Sequence, residues 1–119
     1  EGTEVEHIRQ FDVGVMPLPD TEWARGKCAF KLIQYMACGI PVVGSRVGAN
    51  IDVVDAASGF LASTDDDWMR ALQALRDDRG MAARMGQHAR SRIEDGYSLE
   101  VNLPQLAEVI HDVVSRGRP

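Results

Sequence analysis

The stretch from Arg25 to Ser45 limits the fold more than any other part of the chain. Between Cys28 and Cys38, Phe30, Leu32, Ile33, Met36 and Ala37 recur at three- and four-residue spacings, which predicts a helix with one apolar side. Gly39 and Pro41 close it, because glycine accepts the backbone that ends helices and proline cannot continue one. Directly afterwards, Pro41-Val-Val-Gly-Ser45 is apolar without alternation, the pattern of a strand covered on both faces. A second strand precedes the helix, since Phe11-Asp-Val-Gly-Val-Met-Pro-Leu18 is rich in apolar and β-branched residues and runs into the turn cluster Pro17 to Asp20. Strand, helix and covered strand in that order imply an α/β domain with a parallel sheet, right-handed connections and ligands beyond the carboxyl ends of the strands.

The remainder extends this pattern. Gly59-Phe-Leu-Ala62 is a weaker third strand, and Thr64-Asp-Asp-Asp67 supplies a cap and an acidic first turn for a helix with Trp68, Leu72 and Leu75 on one side. Met81, Met85, Ala89 and Ile93 recur every fourth residue up to Asp95-Gly96, and Leu103, Leu106, Ile110 and Val113 mark a last stripe. That last helix begins either near Asn102, with Pro104 in its first turn, or at Ser98 with a kink. There is no internal repeat or low-complexity linker, and 119 residues suit a single domain, residues 1–119. Three strands are few for a doubly wound sheet. The N-terminal part of the sheet is therefore expected to lie outside this sequence, leaving the edge of the Asp12–Leu18 strand open to self-association.

Composition excludes several classes of function. Thirteen Lys and Arg against 18 Asp and Glu give a net charge of −5, which argues against a general nucleic-acid binder. Apolar runs such as Ile40 to Val43 are far shorter than the roughly 18 residues that a membrane span needs. Cys28 and Cys38 are the only cysteines, and Cys38, beside Met36 and Ala37, reads as a small buried residue. Ten positions apart on one helix the two cysteines are about 15 Å from each other, too far for a disulfide, and a reducing cytoplasmic setting is the default. His7, His88 and His111 share no metal-ligand spacing, and Asp65-Asp66-Asp67 reads as a helix start rather than a metal motif. Arg84, Arg90 and Arg92 read as a solvated helix face, Trp68 as core, and Trp23 as a loop residue able to line a cleft.

Chemistry concentrates in Arg25-Gly-Lys-Cys-Ala-Phe-Lys-Leu-Ile-Gln34. A glycine-containing turn feeds a helix start, where unpaired N–H groups and the helix dipole both favour an anion. Lys27 and Lys31 add positive charge one turn apart, and Gln34 lies on the side of Lys31, able to hydrogen-bond a hydroxyl group. The run is neither a phosphate loop of the Gly-x4-Gly-Lys-Ser/Thr type nor a Gly-x-Gly-x-x-Gly fingerprint. By spacing alone it also fits the exposed face of an ordinary amphipathic helix.

Three stretches, Asp12 to Leu18, Gly26 to Val43 and Ser45 to Asn50, together with Gly59-Phe-Leu61, resemble the donor-binding domain of GT-B glycosyltransferases, in particular the large retaining group that includes many bacterial polysaccharide enzymes. The most specific part is Lys31, Gln34, Tyr35, Met36, Ala37, Gly39, Pro41, Val42 and Val43, and the resemblance extends over nearly the whole chain. It implies the C-terminal part of a Rossmann-like nucleotide-sugar-binding domain, with a short parallel sheet flanked by helices. In that family a Glu-x7-Glu motif spans this turn and helix, and its two glutamates fall here on Gly26 and Gln34. The resemblance implies donor contacts from Gly26, Lys27, Cys28, Ala29, Phe30, Lys31 and Gln34. Backbone groups would hold phosphate, a lysine would neutralise the diphosphate, and Gln34 would hold the ribose.

It further implies no cofactor beyond a nucleotide-diphosphate sugar as donor substrate, no metal, and no catalytic residue within this segment. The partner is an N-terminal domain of the same enzyme, so this segment alone is expected to be inactive. The setting is the cytoplasm, extending to the inner membrane face through the rest of the enzyme. Loss of both motif glutamates keeps a second reading open, a non-catalytic binding or regulatory module with a vestigial phosphate site. A phosphorylation-driven receiver is weaker, because Asp12 begins its strand instead of ending it.

Overall fold

A computed structural model describes residues 6–26, 29–97, 107–111 and 114–115. Three parallel strands, β1 (Gly14–Met16), β2 (Val42–Ser45) and β3 (Gly59–Ala62), form a sheet in the order β1-β2-β3. Gly14 aligns with Val42, and Val42 with Gly59. Helices α1 (Glu22–Arg25), α2 (Phe30–Ala37), α3 (Asn50–Val53), α4 (Asp65–Asp77) and α5 (Arg79–Gly96) accompany them. None of the described helices is long and apolar enough to cross a membrane.

The pleat of β2 divides the core. On one face Val42 packs with Ala29, Leu32 and Met36 at α2, Val53 and Val54 at the end of α3, and Ala89 and Ile93 of α5. On the other, Val43 packs with Ala62, Ala71, Leu75 and Met85. All four β2 residues are buried, as the unalternating run requires. Leu32 and Met36 are fully buried; each side chain so placed contributes about 2 kcal/mol of hydrophobic stabilisation.

Local chemistry accounts for the boundaries. Helix α2 is closed by Gly39, which takes φ +77° and donates its N–H to the Met36 carbonyl, and Pro41 then leads into β2. Strand β1 is shorter than the apolar run predicts, because Pro17 has no N–H to give a sheet. Asp12 lies ahead of it and pairs with Arg79 at 3.1 Å. The Thr64 hydroxyl accepts from the Asp67 N–H, while the Asp67 carboxylate accepts from the Thr64 N–H, so the acidic triplet starts α4 with a reciprocal cap.

Three expectations need correction. In α4 the buried residues are Ala71 and Leu75, with Trp68 half-buried, whereas Leu72 is exposed: a small alanine takes the core position that hydrophobicity alone assigns to leucine. Arg92 is not on a solvated face. Its Nε donates to the Val53 carbonyl and its Nη2 to the Asp52 carbonyl, both at 2.7 Å, and it approaches Asp55, so it ties the end of α3 to α5. Cys38 is half-buried instead of buried. Of the last stripe only Ile110 is described, exposed in a helical segment, while Leu103, Leu106, Val113 and the start near Pro104 lie outside the described residues.

Candidate functional site

The path from β1 to α2 builds the candidate site. After Met16 the chain turns through Pro17 and Pro19, and the Thr21 hydroxyl caps α1 by accepting from the Ala24 N–H at 3.1 Å. Arg25 reaches back to Asp20, Nε to Oδ1 at 2.7 Å, and that guanidinium holds the Asp20 carboxyl below its usual range. The N–H of Gly26 donates to the carbonyls of Glu22 and Trp23 and closes α1. Gly26 is thus not a free backbone donor for a phosphate, contrary to expectation: a four-residue helix, too short to leave a periodic trace, uses its amide. Lys27 and Cys28 lie outside the described residues.

Ala29 begins α2 in the left-handed region, φ 59° and ψ 28°, and is the sole non-glycine with positive φ among the described residues. An alanine there carries a penalty of roughly 1–2 kcal/mol, and such strain concentrates where a chain is held for a purpose. The N-cap Ala29 makes no side-chain cap hydrogen bond, and the first turn of α2 is built by Phe30, Lys31 and Leu32. Lys31 is exposed on this first turn, and Phe30 is 61% exposed beside it. Gln34 follows one turn later. It is half-buried, and its Oε1 is buried with no hydrogen-bond partner among the described residues. Trp23, 81% exposed on α1, stands on the approach to this turn.

The structure therefore brings Ala29, Phe30, Lys31 and Gln34 to the opening turns of one helix, with a positive dipole end and a cation together. A separate cleft of about 480 Å³ opens at the carboxyl ends of all three strands, lined by Pro17 to Asp20, Ser45 to Val47, Ala62 to Asp65, and Trp68. Of the described donor residues, Gly26, Ala29, Phe30, Lys31 and Gln34, none lines it. Its connection with them is the loop Pro17 to Asp20. The sequence places ligands beyond the carboxyl ends of the strands but does not single out these lining residues, because they come from segments far apart in the chain, joined only by the parallel pairing.

A parallel sheet with crossover helices, its ligand-facing loops at the strand ends and an open helix start after β1, defines a Rossmann-like α/β module. The family described as glycosyl transferases group 1 matches residues 4–78, and the chain belongs to it. Over 87 residues it is 30% identical to the N-acetyl-alpha-D-glucosaminyl L-malate synthase of Bacillus anthracis, covering 70% of this chain and 23% of that protein. Over 90 residues it is 34% identical to the D-inositol 3-phosphate glycosyltransferase of Salinispora arenicola, covering 73% and 20%. The fold is similar to a sucrose-phosphate synthase from Thermosynechococcus elongatus, with TM-score 0.79 and 21% identity over 93% of this chain and 27% of that one. It is also similar to Anabaena HepE in complex with UDP-glucose, with TM-score 0.70 and 18% identity over 90% and 29%. The GT-B expectation for the fold holds, and the chain spans under a quarter of the length of these two curated relatives.

Proposed function

We propose that this chain is the C-terminal part of the donor-binding domain of a retaining, nucleotide-sugar-dependent glycosyltransferase, and that α2 receives the donor diphosphate. The observation that carries the reading is the start of α2, an uncapped turn behind a strained Ala29 with Lys31 in its first turn. Oxygens of the diphosphate accept from the amides of the first turn. Lys31 and the helix dipole then stabilise the negative charge that grows on the leaving diphosphate as the glycosidic bond breaks. Gln34, with a buried acceptor to satisfy, takes a ribose hydroxyl as donor. The acceptor site and the rest of the donor cleft belong to the remainder of the enzyme, so this segment alone does not transfer sugar. The setting proposed is the cytoplasm, in polysaccharide assembly.

Membership of the family and the UDP-glucose carried by Anabaena HepE support this reading. The test is a titration of the chain with UDP, GDP, ADP and NAD, followed through backbone amide NMR shifts. Shifts at Ala29 to Gln34 with one nucleoside diphosphate, absent with the matching nucleoside, are the expected result. Silence with all four overturns diphosphate binding by this segment. A second reading, a vestigial phosphate site in a non-catalytic module, is favoured by the absence of carboxylates at positions 26 and 34. Unchanged nucleotide affinity of the full-length enzyme after Lys31→Ala and Gln34→Ala would select it.

A further inference from the structure

Two buried polar residues at the carboxyl end of β2 have no part in the donor contacts. Asn50 is 1% exposed and Ser45 is 6% exposed. The Asn50 Nδ2 donates to the Ser45 carbonyl at 3.0 Å, and the Ser45 Oγ accepts from the Leu18 N–H at 2.7 Å. Asn50 Oδ1 is buried with no hydrogen-bond partner among the described residues. Burying an unpaired acceptor lowers stability, and an aliphatic side chain of the same size would avoid that penalty. What the amide contributes here is its bond to Ser45.

The next turn of the same segment touches the other end of the loop. Gly48 takes φ +59°, and a Cβ on it would stand 2.9 Å from the Arg25 carbonyl oxygen, closer than real Cβ atoms come to a backbone. The last residue of β2 and the turn after it thus hold the segment after β1 twice, at Leu18 by a hydrogen bond and at Arg25 by close backbone approach. Between those points lies α1, and Gly26 follows at once.

We infer that Ser45 and Asn50 are positioning residues: they fix the course of residues 18–26 and, through it, the place at which the chain enters α2. The purpose of that placement rests on the donor-site reading, whereas the clamp itself can be measured without a ligand. Amide ¹⁵N relaxation on the chain provides the readout, compared between wild type, Ser45→Ala, Ser45→Thr and Asn50→Leu.

In Ser45→Ala the order parameters at Arg25 and Gly26 are expected to fall from about 0.85 to below about 0.6, the range of flexible backbone, while those of β2 and β3 stay. Ser45→Thr, which keeps the hydroxyl, restores them. Asn50→Leu, which acts through Ser45, gives a smaller fall at the same residues. Order parameters at Arg25 and Gly26 that do not move in Ser45→Ala overturn the inference, as does a fall spread evenly over β2 and β3. UDP, GDP, ADP and NAD added in turn to the same wild-type sample separate the two ideas. No response to any of the four removes the donor reading and leaves the relaxation data to decide the clamp.

Discussion

Helices α2 and α4 begin in opposite ways. At α4, Thr64 and Asp67 cap each other's N–H groups, and the Ser63 N–H also donates to the Asp67 carboxylate. At α2, Ala29 takes a conformation that alanine disfavours, and no side chain caps the turn. Both helices follow a strand and pack on the sheet, one on each face, so the contrast is not one of architecture. A closed start serves folding, because every orphan donor it satisfies raises stability. A start without a side-chain cap, next to a lysine, sets its positive dipole end where an anion from outside the helix is favoured.

The largest effect separates the two on binding. Lys31→Glu is expected to weaken binding of the nucleoside diphosphate at least tenfold, about 1.4 kcal/mol, by isothermal titration. Its urea midpoint should stay level or rise, since an acidic residue in a first turn suits the dipole. If affinity and stability fell together, α2 would be an ordinary helix start. Thr64→Ala is expected to do the reverse, lowering unfolding stability by about 1 kcal/mol and leaving nucleotide affinity unchanged.

Ala29→Gly comes next. Removing the Cβ relieves the left-handed penalty, while the greater freedom of glycine in the unfolded chain takes part of the gain back. The net expectation is a rise of up to about 1 kcal/mol in unfolding stability. A destabilised Ala29→Gly would show that packing of the buried methyl group outweighs the strain.

The smallest effect is one of pH. Backbone donation from Ser63 and Thr64 holds the Asp67 carboxyl below its ordinary value of 3.8. A group whose pKa is lowered on folding contributes its full stabilisation above the unfolded value, and loses it as pH falls through the folded one. Asp67→Asn is therefore expected to flatten the acid side of the stability profile below about pH 4, measured by urea unfolding at a series of pH values. The start of α2, with no carboxylate cap, has no matching pH term.

Much of this was legible in the chain because local signals agreed with tertiary need. Helix α2 announced itself through Leu32 and Met36 and through the stop at Gly39, and α5 through Met85, Ala89 and Ile93, all of which are buried. The Thr64 cap was readable because its partner is three residues away. What escaped depends on distance or on short elements. Arg92 looked like surface because the carbonyls it binds, on Asp52 and Val53, lie 40 and 39 residues earlier. The amide of Gly26 looked free because α1 is a single turn. The left-handed backbone at Ala29 could not be read at all, since alanine gives no hint of positive φ. The sequence thus pointed to the turn before α2 as the candidate site, while the use of the Gly26 amide by α1 became visible only in the structure.

The order β1-β2-β3 follows the order of the chain without a reversal. Each strand lies beside the one made just before it, with aligned residues 28 and 17 positions apart. Parallel pairing usually demands long-range searches, but here every pairing is with the immediate predecessor, and loop-closure entropy rises only slowly with such spacings. During synthesis β2 can dock as soon as it emerges, and β3 onto β2 in turn. The described strands can therefore join the sheet by accretion, each newest strand forming the edge on which the next one docks.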